Sequence, residues 1–158
     1  MAEIHKSVTI DAPAERVFDL LDDPSGIPSY TPNVERVEDV RQSEQRIGDT
    51  FRVIYKAVGM TFEEKFTVTE HTRPTRLASR FENGMKGTFL YQVAPQGEQT
   101  TLTVDVHYEL PGGALGKAID ALLLERTNEK TIEKQLDSLR QMAVQPSIST
   151  SEPQQPRS

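Results

Sequence analysis

The chain has no cysteine and no tryptophan among its 158 residues, and its apolar runs are only a few residues long. Without cysteine there are no disulfides, no thiolate metal sites and no cysteine nucleophile. The missing thiols leave the compartment open, since oxidising surroundings permit disulfides without requiring them. Apolar runs this short fall far below the roughly 20 residues of a membrane-spanning helix, and no secretory segment stands out. A soluble, cytoplasmic protein is expected. An excess of basic charge is missing too: 24 acidic residues face 18 Lys and Arg, for a net charge of −6. Binding to nucleic acid or to an anionic membrane needs positive surface to displace counterions, and here the basic residues are scattered among acidic neighbours. Neither a nucleic-acid partner nor integral membrane association is expected. His5, His71 and His107 are the only imidazoles, and no HxH, HExxH or glycine-rich phosphate pattern accompanies them, so no metal and no cofactor is expected.

What remains is the composition of one modest acidic domain. A folded chain of this length buries about two-thirds of the surface its extended form exposes, enough for a core without staples. EIHKSVTI, residues 3–10, alternates Ile4, Lys6, Val8 and Ile10 with polar residues and reads as a first strand. Asp11 and Pro13 suit a helix start, and Val17, Phe18, Leu20 and Leu21 give a short helix over 13–22 its apolar face. The PSGIPSYTPN segment breaks any longer helix, with Ile27 and Tyr30 spaced to reach a core from a brief helical turn. Residues 34–39 have weak strand character. From Thr50 the alternation sharpens into a hairpin about Gly59, followed by strands ending TRLASRF, GTFLYQV and TTLTVDVHYEL, which together predict an antiparallel sheet. After Pro111, Gly112 and Gly113 the period becomes helical, with Ala118, Leu122, Ile132, Leu136, Leu139 and Ala143 on one side of a helix over 114–143. The residues from 144 to 158, rich in Pro, Ser and Gln, predict a disordered tail. The fold class is α+β, a curved antiparallel sheet packed on a long C-terminal helix.

Few residues could carry chemistry. Strict alternation places Glu64 in the series Met60, Phe62, Phe66 and Val68, aiming a carboxyl inward. A buried charge is expensive, so a bulge that turns it outward, a structural ion pair, or a wet pocket must accommodate it. Extending the helical stripe through its middle lands on Glu125 and Glu129, which would either face a cavity or pair with Arg126. Tyr91 and Tyr108 fall on the apolar series of their strands, where a phenol can orient a ligand or simply pack. Phe62, Phe66, Phe81 and Phe89 share those inward faces. These nine residues, Phe62, Glu64, Phe66, Phe81, Phe89, Tyr91, Tyr108, Glu125 and Glu129, are the cavity candidates. His107 and His5 fall on outward faces, and His71 falls at the end of a hairpin, where pocket mouths form.

The opening IHKSVTIDAPAERVFDLLDDPSGIPSYTPNVERVE and the closing YELPGGALGKAIDALLLERTNEKTIEKQLDSLR, with a strand-rich middle between them, resemble the polyketide cyclase/dehydrase and lipid-transport family of the START-like (SRPBCC) superfamily. The resemblance covers residues 1–143. Ala12, Pro13 and Val17 match the start of its first helix, and Pro111, Gly112 and Gly116 match its junction into the last. The resemblance implies a helix-grip (START/Bet v 1-like) arrangement, in which the sheet wraps the long helix around an internal hydrophobic cavity. Within this superfamily the lack of cysteine also argues against the iron–sulfur oxygenase branch. Such a fold says little about reaction. The leading expectation is binding or transport of a hydrophobic, lipid-like or aromatic small molecule. The alternatives are a polyketide cyclase/dehydratase that uses pocket acids and bases, and a non-enzymatic partner-binding module that uses PSGIPSYTPN or the tail.

Overall fold

The computed structural model describes residues 2–110 and 119–145. Seven strands run in chain order: β1 (Ala2–Ile10), β2 (Val34–Arg41), β3 (Thr50–Ala57), β4 (Met60–Thr72), β5 (Arg76–Glu82), β6 (Lys86–Gln96) and β7 (Gln99–Glu109). Between β1 and β2 lie α1 (Ala14–Leu21), a 3₁₀ turn (Pro24–Gly26) and α2 (Ile27–Tyr30), and the described chain closes with α3 (Ala121–Val144). All pairings are antiparallel, and the sheet order is β1-β7-β6-β5-β4-β3-β2. The sheet wraps α3, the helix-grip architecture expected from the sequence.

Alternation decides which side of each strand is buried. Ile4 and Ile10 on β1, Phe62 and Val68 on β4, and Leu102, Val104, Val106 and Tyr108 on β7 all turn inward, as their period of two requires. The β3–β4 hairpin turns through Val58 and Gly59, both at positive φ, which matches the right-handed twist of the strands it joins. The weak strand character of residues 34–39 has a structural counterpart. Pairing of β2 with β3 slips twice, and Asp39 sits at φ 52°.

Several details differ from the sequence reading. Asp11 does not cap α1: extended Pro13 takes the N-cap position and no side chain caps the helix. PSGIPSYTPN is only partly exposed: Pro24, Tyr30 and Thr31 are buried, while Ser25, Ser29 and Pro32 face outward. The last helix begins at Ala121, where the Asp120 carboxylate accepts from the Leu123 amide. The predicted start at 114–118, including Ala118 and the Pro111–Gly112–Gly116 junction, falls outside the described residues, as does the tail beyond Gln145. Val144, placed in the tail by composition, still belongs to α3.

The helical stripe also rotates. Ile132, Leu136, Leu139 and Ala143 are buried as expected, but Leu122 is 58% exposed while Leu124 is fully buried. The inward ridge follows steps of four, Leu124, Asn128, Ile132 and Leu136, and each step advances about 40° round a helix of 3.6 residues per turn. The N-terminal half of α3 therefore shows the sheet a different side from the one its C-terminal half predicts.

Candidate functional site

Between the concave face of the sheet and α3 lies a cavity of about 170 Å³. Its floor is aromatic. Phe66 stacks on Phe51 with ring centroids 5.2 Å apart, lies 5.2 Å from Phe81 and 6.2 Å from Phe89, and Phe89 meets Tyr91 at 5.2 Å. The panel spans β3 to β6 because inward positions of adjacent strands lie side by side. Leu77 and Ser79 on β5, Ile27 and Tyr30 on α2, and Ile132 on α3 complete much of the wall.

Glu64 stands in this wall, 1% exposed. The β3–β4 register runs unbroken from Thr50↔Thr67 to Ala57↔Met60, so no bulge turns the residue outward; the slip in β4 comes later, between Val68 and Glu70. No ion pair among the described residues reaches it. Its carboxyl instead accepts three hydrogen bonds, from the Tyr55 hydroxyl (2.8 Å) and from the backbone amides of Gly84 (3.0 Å) and Met85 (2.7 Å). The β5–β6 turn presents those amides by bending over the sheet, with Asn83 at φ 107°. Gly84 allows the approach, since a Cβ there would lie 2.7 Å from Glu64 Oε2. Burial pushes the Glu64 pKa up, and the Met85, Tyr55 and Gly84 donors pull it part of the way back. Burial also drives the Tyr55 phenol well above its ordinary range, with the neighbouring Glu64 adding to the effect. The result is a desolvated carboxyl facing an apolar space, able to accept a hydrogen bond or exchange a proton with a bound molecule.

Glu64, Phe66, Phe81, Phe89, Tyr91 and Tyr108 are brought together on the cavity wall. Phe62 is buried but lies off the wall, stacked 5.4 Å from Tyr55, whose ring it supports. Glu125 and Glu129 do not line the cavity. The rotating ridge leaves both on the exposed side of α3, where Glu129 lies 3.8 Å from Lys6 Nζ. They act on the site only at a distance: burial raises the Tyr108 pKa, the Asn128 amide opposes that rise, and the charges of Glu125 and Glu129 add to it.

The sequence reading missed Gln135, which is 4% exposed. It accepts from the Tyr91 hydroxyl and donates to Thr31 Oγ, both at 2.9 Å, joining β6, α3 and the end of α2 across the cavity. Its place between Ile132 and Leu139, beside Leu136, was the available signal. Gln135→Leu is expected to strand two buried hydroxyls and cost about 1–2 kcal/mol in urea unfolding. In a Tyr91→Phe background the cost should shrink, giving a measurable coupling energy.

One rim of the cavity is ionic. Asp22, at the end of α1, holds Arg46 (Nη2 to Oδ1, 2.9 Å), Arg73 (Nη1 to Oδ2, 3.0 Å) and His71 (Nε2 to Oδ1, 3.0 Å). His71 also packs edge-on against Phe18 and ties β4 to α1, away from the cavity wall. His5 touches Asp105 on β7, and His107 is exposed near Glu3. Among the described residues there is no cluster of three or more His, Asp and Glu side chains that could hold a metal ion.

A curved sheet gripping a helix around an apolar cavity with a few buried polar groups defines the helix-grip class of fold. The sequence matches the polyketide cyclase/dehydrase and lipid-transport family over residues 1–143, and the chain belongs to that family. No curated protein sequence matches significantly. Among solved structures, the ZhuI aromatase/cyclase from Streptomyces sp. R1128 superposes with a TM-score of 0.77 at 17% identity, covering 90% of this chain and 93% of that one. A START superfamily protein from Mycobacterium smegmatis gives 0.74 at 15% identity, covering 89% and 96%. TTHA0849 from Thermus thermophilus gives 0.71 at 23% identity, covering 96% and 100%. These likenesses carry the fold. No helix among the described residues is long and apolar enough to cross a membrane.

Proposed function

We propose that the protein binds or carries a hydrophobic small molecule in the cavity between the sheet and α3, and does so in the cytoplasm. The observation that carries this reading is the aromatic floor of Phe66, Phe81, Phe89 and Tyr91 facing open volume rather than packed side chains. The test is native mass spectrometry of protein purified under mild conditions, before and after organic extraction. A discrete, extractable apolar adduct that Ser79→Phe abolishes is the expected result, since Ser79 lines the cavity and a larger ring there would fill it. A Ser79→Phe protein that retained the adduct would place binding elsewhere.

A second reading, a cyclase or dehydratase acting on a polyketide-like substrate, is favoured by Glu64 alone. A carboxyl whose pKa burial raises, set beside Tyr55 in an apolar cavity, is suited to proton transfer during enolisation or loss of water. Conversion of such a substrate at wild-type rate by Glu64→Gln would remove this assignment.

A further inference from the structure

Two polar atoms of the cavity wall are buried and unpaired. Tyr108 is 2% exposed, and its hydroxyl makes no hydrogen bond of normal geometry among the described residues, although the nearby Asn128 amide favours its ionised form. The Asn33 Oδ1 atom is likewise buried and unpaired among the described residues. The orientation of that amide is fixed by chemistry. Its Nδ2 donates to the Lys56 carbonyl at 2.7 Å, so the oxygen has to point the other way. Both residues line the cavity. Buried polar atoms are rarely left unsatisfied, and two on one wall call for a complement. Oδ1 can only accept, so it calls for a donor; the Tyr108 hydroxyl can meet either a carbonyl or a hydroxyl.

The charges on the same wall restrict the complement further. Among the described residues, Asp22, Arg46 and Glu64 are the charged ones on it. Arg46, the one cation among them, already has its charge paired with two carboxylates. Its Nε binds Asp49 at 2.7 Å, Nη1 binds Asp22 Oδ2 at 3.0 Å, and Nη2 binds the Asp22 carbonyl at 3.1 Å and Oδ1 at 2.9 Å. Among the described residues of the wall no positive charge is left without a carboxylate to neutralise a carboxylate or phosphate brought into the cavity, and an unpaired buried anion is strongly disfavoured. The flat panel of Phe66, Phe81 and Phe89 suits a ring. The volume of about 170 Å³ slightly exceeds the roughly 150 Å³ apolar cavity that admits benzene.

We infer that the cavity selects a small, uncharged ring molecule bearing a hydroxyl, read by Tyr108 and Asn33, and rejects anionic ligands such as fatty acids. This rests on the proposal that the cavity binds apolar molecules, and the test separates the two. Naphthalene, 2-naphthol and 2-naphthoate share one ring system, and at pH 7 only the last is charged. Calorimetric titration of the full chain should give 2-naphthol an affinity about tenfold or more above that of 2-naphthoate. Tyr108→Phe should lower 2-naphthol affinity about three- to tenfold while leaving naphthalene unchanged. Ser79→Phe should abolish binding of all three.

Equal affinity for naphthol and naphthoate overturns the inference on the wild-type protein alone, whether or not the Tyr108 variant folds. Equal loss of naphthol and naphthalene in Tyr108→Phe overturns the assigned reader. Failure of naphthalene and naphthol alike to bind, or binding that survives Ser79→Phe, overturns the underlying proposal as well.

Discussion

Replacing Gly87 by alanine is expected to cost a large part of the stability of the fold. Gly87 pairs with Tyr108 across β6 and β7 and with Phe81 across β5 and β6. A Cβ added there would lie 2.0 Å from the His107 carbonyl oxygen, 2.8 Å from Tyr108 Cα and 2.9 Å from the Phe81 ring. Two of these three obstacles are backbone, which cannot turn aside as a side chain can. Overpacking costs typically about 1–3 kcal/mol, and more where nothing yields. A loss of about 3 kcal/mol or more is a large part of the roughly 5–15 kcal/mol that holds a domain together, and lowers Tm by about 6–12 °C at this size. Gly26→Ala is the control, since its φ is −85° and nothing lies within 4 Å of the added atom. Circular dichroism melts of the two variants check the contrast. A Gly87→Ala protein melting within two or so degrees of Gly26→Ala would mean that β6 and β7 are not pressed together as described.

The second large effect falls on Glu64. Glu64→Leu removes the acceptor from the Tyr55 hydroxyl and the Gly84 and Met85 amides at once. Each stranded buried donor costs about 1–3 kcal/mol, so a total of about 3 kcal/mol or more is expected in urea unfolding. Glu64→Gln replaces one oxygen with an NH₂ that opposes a donor, and should cost less. Its pH dependence carries the diagnosis. Because the folded pKa of Glu64 is raised, the folded state holds this proton more tightly than the unfolded chain does. The associated stability is complete below the unfolded value near 4.5 and is lost as pH rises through the folded value. The wild-type advantage over Glu64→Gln is therefore expected to be larger at pH 4 than at pH 8. A gap that widened with pH would show instead that the three donors outweigh burial and hold the carboxylate ionised.

Both positions illustrate what a sequence exposes. Alternation alone aimed Glu64 inward, because a period of two has no freedom once Phe62, Phe66 and Val68 are buried. It could not reveal how the charge is tolerated, since the donors come from a turn some twenty residues on, bent over the sheet by Asn83 at positive φ. The strand series of Tyr91 and Tyr108 was equally plain, and both line the cavity. Glu125 and Glu129 were misplaced for a geometric reason. A stripe drawn through Leu122 and Ile132 was carried across the middle of a helix whose buried ridge passes instead through Leu124, Asn128 and Ile132. Gln135 was overlooked because a polar residue in an apolar stripe draws attention only when its partners, Tyr91 and Thr31, are known. Asn33 and Arg46 lie in irregular segments, where periodicity carries no information and only tertiary structure brings them to the rim.

The order of the sheet has a kinetic consequence. Among the described residues β1 pairs with β7 alone, in a ladder that runs from Ala2↔Tyr108 to Ile10↔Thr100. β1 waits for β7, nearly a hundred residues further along the chain, before it has a neighbour, whereas the β3–β4, β4–β5, β5–β6 and β6–β7 pairs close over short hairpins. Loop closure of that span is paid before its contacts are gained, and topologies dominated by such distant pairs fold on the millisecond-to-second scale rather than in microseconds. The hairpin meander is therefore expected to form first, with the β1–β7 ladder completing the sheet that grips α3 afterwards.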